Sequence, residues 1–330
     1  MHGRQSGRAA LLLGVALVGA VGCAEPHQAR LSTLDPTSAR EQDAMLRHAS
    51  SECDVVPVLG FVVSGLPLAC SNRTAEGAAL TVIADAELVT GIAFWAKKGI
   101  DYPGSYLPLL AFQDTAITGI ASGRIDNALS EQALFAPQDT LAEVALAPWN
   151  GRVLRRPEVW LGTLFFVGAG IAVDQILGAN WNHLGEGPNI FGRQFTPETG
   201  YPLGLAVNAA VVEQVAVAEE SYFRGVVQSA FARRAGENAG WIYGSLVFGG
   251  VHSLNAAFAS SPSDAAKYLG IGVPYITLVG AYLGWVYKRD GYSLAPSTAI
   301  HFWYDFLTLG IEFVRDPKHS PLSASVVIPW

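Results

Sequence analysis

Residues 212–231 read VEQVAVAEESYFRGVVQSAF, an apolar helical run interrupted by Glu219, Glu220 and Arg224. The surrounding chain has the composition of a membrane protein: of 330 residues, 50% are hydrophobic and only 15% charged, against about 25% charged in a typical soluble domain. Its mean hydropathy is positive. An ionisable residue inside a membrane segment costs a few kcal/mol on insertion scales, which makes it a functional-site hypothesis by default. The stretch therefore predicts an all-α fold, a polytopic helix bundle with its functional groups facing an intramembrane cavity.

Working outward, apolar runs occupy residues 54–70, 77–96, 105–121, 159–178, 202–232, 240–258, 268–287 and 296–314. Most approach the roughly 20 residues that cross a hydrocarbon core, so the expectation is about eight spans. The first run is short and holds Pro57 and Pro67, which leaves it open to a loop reading. If it crosses, with the N-terminus outside, then Arg73, Arg124, Arg152, Arg155, Arg156, Arg233, Arg234, Lys288 and Arg289 collect on the cytoplasmic side, as the positive-inside bias favours. Residues 122–158 are too charged to span, but Leu129, Ala133, Leu134, Leu141, Val144 and Ala145 have helical spacing, the pattern of a helix lying on the bilayer surface or, equally, packed on other cytoplasmic residues.

The N-terminus reads as a separate segment. Arg4 and Arg8 precede an apolar run that ends in small residues before Cys23, the layout of a signal peptide over residues 1–22. Lipidation of Cys23 and plain cleavage are both compatible with it. Residues 23–52 are polar and aperiodic, an exported flexible segment; 53–158 hold the first membrane helices and the amphipathic connection; 159–315 form the chemistry-bearing core, and 316–330 a tail. The location expected is a bacterial inner membrane. Cys53 and Cys70 read as buried free thiols, or as a disulfide if both lie on the oxidising side.

Chemistry concentrates in the last 120 or so residues. Glu220 and Arg224 are four apart, the acidic residue first, which pairs them on one helix face. Glu219 points about 100° away and stays available as a base. Phe248 and His252 share a face, with Asn255 a turn beyond, and so do His301 and Asp305. Three helices can thus present Glu219, His252, His301 and Asp305 to one cavity. A carboxylate with an imidazole can hold and deprotonate water, and a second polar pair can support an oxyanion. Asp305, a poor oxyanion donor when ionised, is expected to orient His301. Glu213, almost two turns before Glu219, is a further candidate for the same cavity, whereas His183 reads as solvated.

The ordered motifs EESYFR (219–224), FGGVH (248–252) and HFWYD (301–305) resemble those of the CPBP intramembrane protease family, which includes the type II CAAX prenyl endopeptidases and bacterial relatives tied to bacteriocin immunity. The resemblance implies a multi-helix membrane fold and proteolysis in or near the bilayer. It implies catalytic roles for Glu219, His252 and His301, with Glu220 and Arg224 supporting. Many members have Asn where Asp305 stands.

Two His and one or two carboxylates suffice to bind zinc, so Glu219, His252 and His301 are also a candidate metal set. No HExxH is present, and metal-free water activation is the other reading. The partners expected are the lipid bilayer and a membrane-associated peptide or protein substrate; nothing basic enough for nucleic acid is present, and the oligomeric state is open. A catalytically silent scaffold or immunity protein, or a proton-coupled transporter, would bury similar residues.

Overall fold

The computed structural model describes residues 59–99, 102–131, 133–177, 181–259 and 261–318. The signal-peptide and exported-segment readings, Cys23 and Cys53 lie outside these residues. Among the described residues seven long helices form a bundle: α1 (Thr74–Lys98), α2 (Pro103–Ser130), α3 (Pro157–Leu177), α4 (Pro197–Glu219, continuing through Glu220–Gln228 to Ser229–Ala235), α5 (Glu237–His252), α6 (Val273–Arg289, led in by Pro262–Lys267 and Tyr268–Gly272) and α7 (Leu294–Arg315). Four of these continuous helical stretches, Thr74–Lys98, Pro157–Ile176, Pro197–Ala235 and Pro262–Arg289, are long and apolar enough to cross a membrane. The chain is an all-α, multi-pass membrane protein.

Two ends of the bundle are pinned by different contacts. At one end, Arg73 reaches Asp126 (3.1 Å) and Arg156 reaches Asp290 (2.8 Å). There Asp139 also caps α7, its Oδ2 accepting from the Leu294 N–H at 2.8 Å and its Oδ1 from the Ser293 hydroxyl at 2.7 Å. At the other end, a two-residue β-hairpin, β1 (Asn189–Ile190) with β2 (Arg193–Gln194), folds over the helix ends. Tyr102 donates to the Phe191 carbonyl, and the Asn189 N–H donates to the Pro317 carbonyl.

Two sequence expectations are corrected. Between Leu59 and Cys70 the chain makes turns and one five-residue helix, Leu66–Cys70, so the described part of 54–70 is no crossing. Instead it packs back onto α1 and α2: a Cβ at Gly119 would lie 1.9 Å from the Ser64 carbonyl oxygen, and one at Gly65 would lie 1.6 Å from that of Gly77. The premise of the charge-based orientation, a crossing before Arg73, is thereby removed. Cys70 is disulfide-bonded, its partner outside the described residues. The amphipathic connection is not one surface helix either. Leu129 belongs to α2, while Leu141, Val144 and Ala145 form a separate short helix (Leu141–Ala145) begun by a Thr140–Glu143 capping box. Those hydrogen bonds hold the Glu143 carboxyl below the usual range.

The Ser64–Gly119 contact is backbone against backbone, so no side chain can swing away to relieve it. Gly119→Ala is expected to cost about 2 kcal/mol or more, read as a lower midpoint in SDS-induced unfolding, while Gly168→Ala, with nothing within 4 Å of the added carbon, leaves the midpoint in place.

Candidate active site

The site is built where α4 changes its winding. Up to Glu219 it is α-helical; Glu220–Gln228 form a nine-residue π-helical stretch, fully buried, before α-geometry resumes at Ser229. Such wide turns are rare and concentrate at functional sites. Here the widened turn locks onto α6: Arg224 Nη2 donates to the Gly280 carbonyl (3.2 Å), Gln228 Nε2 donates to that of Gly284 (2.8 Å), and Ser229 Oγ meets the Tyr287 hydroxyl (2.9 Å). Glycine at 280 and 284 permits this approach, since a Cβ would lie 2.5 Å from the Phe248 ring and 2.6 Å from Gln228 Oε1, respectively.

Glu220 is wholly buried and holds two groups at once. Its Oε2 lies 3.3 Å from Arg224 Nε, and its Oε1 accepts from His301 Nδ1 at 2.9 Å. Arg224 also sits 4.3 Å over the Phe248 ring, a cation–π contact that explains the aromatic in the second motif. Phe248 in turn packs against His252, ring centroids 4.6 Å apart. The pairing of Glu220 with Arg224 agrees with the helical-face expectation; its grip on His301, 81 residues away, is an addition the spacing did not reveal.

Glu219 faces the other way, into a cavity of about 210 Å³ whose walls also include His252, Asn255, His301 and Asp305. Its Oε2 is 3.9 Å from His252 Nε2 and 3.8 Å from His301 Nε2. The same oxygen is buried and makes no hydrogen bond in the protein. His252 Nδ1 lies 2.8 Å from the Phe248 carbonyl; a carbonyl only accepts, so Nδ1 carries a proton and the ring is turned with Nε2 toward Glu219. Tyr268 donates to the His252 carbonyl (3.0 Å), and Asn255 donates to Tyr268 (3.4 Å), bracing the end of α5. Asp305 Oδ2 lies 3.3 Å from His301 Nε2.

The structure thus brings all four proposed side chains to one cavity and separates others from it. Glu213 is not in its wall. His183 lies in the turn that precedes the hairpin, beside Glu186 (3.3 Å), where Lys318 and His183 hold the Glu186 carboxyl below its usual range. Asp174 and Glu312 line the cavity away from the motif residues and share Arg315, at 3.2 and 3.6 Å. As for zinc, no group of three or more His, Cys, Asp or Glu among the described residues is arranged to hold a metal ion.

Glu87 and Asp114, two acidic residues that the sequence places inside apolar runs, form with their neighbours a polar wall near Glu219, contributed by the N-terminal helices. Glu87 of α1 accepts from Gln214 Nε2 of α4 (2.6 Å) and from Thr115 Oγ1 of α2 (2.8 Å). Next to Thr115, the buried Asp114 interacts electrostatically with Glu219, Glu87 and His301. The only available signal was an acidic residue near the middle of an apolar run, which alone does not name its partner.

Residues 202–307, about a third of the chain, match the family model described as type II CAAX prenyl endopeptidase Rce1-like. The matched segment contains all three motifs, and the match bears out the resemblance they carry. No curated protein and no solved structure matches.

Proposed function

We propose that the protein is an intramembrane endopeptidase that cleaves a membrane-anchored peptide or protein by metal-free activation of water. The observation that carries the reading is Glu219 Oε2, buried without a hydrogen bond at the cavity wall and flanked by His252 Nε2 and His301 Nε2 at 3.9 and 3.8 Å. The Glu219 carboxylate and the His252 lone pair are both acceptors, and a gap of this width suits a water donating one hydrogen to each.

In the reaction, the water oxygen bonds to the scissile carbonyl carbon while Glu219 takes one water proton. The carbonyl oxygen becomes an oxyanion facing His301 Nε2–H, whose ring is held by Glu220 and balanced by Asp305. Collapse breaks the carbon–nitrogen bond, and the proton on Glu219 passes to the leaving amine nitrogen, restoring the base. The apolar part of the wall, including Ile276, Val279 and Leu309, suits a hydrophobic substrate segment.

Peptide-terminus profiling of membranes from cells making the wild type or His252→Ala tests the reading. New termini that depend on His252 are expected; identical profiles would remove the protease assignment. Treating the purified protein in proteoliposomes with a strong chelator should leave the cleavage rate unchanged, because no step draws on a metal-bound water. Loss of activity that added zinc restores would overturn the metal-free part alone.

A further inference from the structure

The end of the cavity away from the motif residues has spent its hydrogen-bond donors. Asp174 of α3 and Glu312 of α7 stand in the wall there with Tyr275, Tyr304 and Thr308. Both tyrosines interact electrostatically with Asp174. A Cβ at Gly170, one turn before Asp174, would lie 3.0 Å from the Tyr275 hydroxyl, so α3 and α6 meet closely at this point. Tyr304 donates to the Tyr275 hydroxyl (3.2 Å), Tyr275 to the Phe166 carbonyl (2.5 Å) and Thr308 to the Tyr304 carbonyl (2.9 Å). Each hydroxyl carries a single hydrogen, and all three are committed within the protein.

The charge at this end is unbalanced as well. Arg315, which is not in the wall, gives Asp174 one hydrogen bond at 3.2 Å and reaches Glu312 only at 3.6 Å, so two carboxylates share one guanidinium. Further in, the wall adds the carboxylates of Glu219 and Asp305, and among the described residues no Lys or Arg lines the cavity. A carboxylate drawn away from water needs a donor and a counter-charge. The ligand groups that supply both are an ammonium and a guanidinium. A free carboxylate placed here would meet acceptors alone.

We propose that this end of the cavity is a subsite for a basic side chain, so that the substrate is a hydrophobic membrane segment carrying Lys or Arg to one side of the bond that is cut. The inference rests on the endopeptidase reading and adds the class of substrate to it. Glu312 follows His301 by eleven positions on α7, about 16 Å of helix rise. An extended peptide covers that length in about five residues, and the reach of the basic side chain itself shortens the interval to about three to five. Glu312 is also close to the end of α7 at Arg315, the level at which basic residues flank membrane segments. The cavity thus reads an apolar stretch against its Ile276, Val279 and Leu309 wall and a positive charge where that stretch ends.

A designed membrane peptide in which a single Lys is walked through the positions flanking its apolar core, with norleucine at the same position as control, tests this. Binding is read with the Glu219→Gln chain in phosphatidylcholine nanodiscs, where neither turnover nor lipid charge intervenes, and cleavage with the wild type in proteoliposomes. At the favoured position Lys is expected to bind about ten-fold more tightly than norleucine or better, and wild-type cuts are expected about three to five residues from it. Asp174→Asn combined with Glu312→Gln should bring the Lys-to-norleucine ratio close to one. Equal binding of the two peptides at every position, tighter binding of a Glu counterpart, or an unchanged ratio in a double variant that keeps its SDS unfolding midpoint would each overturn the subsite. Selective binding of Lys with no His252-dependent cleavage would support the subsite and remove the protease reading instead.

Discussion

Glu219→Gln is expected to abolish cleavage while leaving the fold intact. The substitution keeps the shape of the side chain and removes its ability to take a proton. General acid–base catalysis contributes about 10²- to 10⁴-fold, and the same group is assigned both the proton abstraction and its return to the amine. A loss on the order of 10³-fold or more in kcat is therefore expected, with little change in substrate affinity. Stability should barely move: the Glu219 side chain is about a fifth exposed, and its Oε2 makes no hydrogen bond that the protein would lose. The unfolding midpoint in SDS and single-turnover cleavage of a membrane peptide in proteoliposomes check the two halves. If Glu219→Gln cleaves at the wild-type rate, Glu219 is not the base.

The same geometry shows how much of the site was legible in the chain itself. Residues three or four apart on one helix announce their shared face, and the Glu220–Arg224 pair, Phe248 with His252 and His301 with Asp305 were all readable for that reason. What joins the helices was not. The Glu220–His301 hydrogen bond spans 81 residues and the Glu87–Gln214 bond 127, and no local spacing encodes either. Nor did hydropathy reveal that α4 widens at Glu220, because all nine residues of the widened stretch are buried and no exposed face marks its period. The same limit explains the error at 122–158: periodicity survives a break in the helix, so Leu129 and Leu141 looked like one face although separate helices hold them. The all-α membrane fold was legible because composition alone demands it.

Arg224→Met is expected to be the most destabilising single substitution near the site, and the effect follows from Glu220 rather than from Arg224 itself. Both side chains are almost completely buried, at 2% and 0% exposure. Removing the guanidinium strands a carboxylate in a low-dielectric interior, and breaking a buried pair from one side costs about 3–5 kcal/mol. It also removes the donor to the Gly280 carbonyl and the cation over Phe248. Glu220→Gln should cost less on its own, since the amide oxygen can still accept from His301, although Arg224 then lacks its counter-charge. Combining Glu220→Gln with Arg224→Met leaves no net buried charge, so the double variant should be more stable than Arg224→Met alone, a coupling that a double-mutant cycle in SDS unfolding measures. Stability and chemistry should then separate. The double variant regains stability, but its cleavage stays depressed, because a neutral residue at 220 no longer holds the His301 ring as the carboxylate does. A strictly additive cycle would mean that Glu220 and Arg224 do not act as a pair, and full recovery of cleavage would mean that the charge of Glu220 has no part in setting His301.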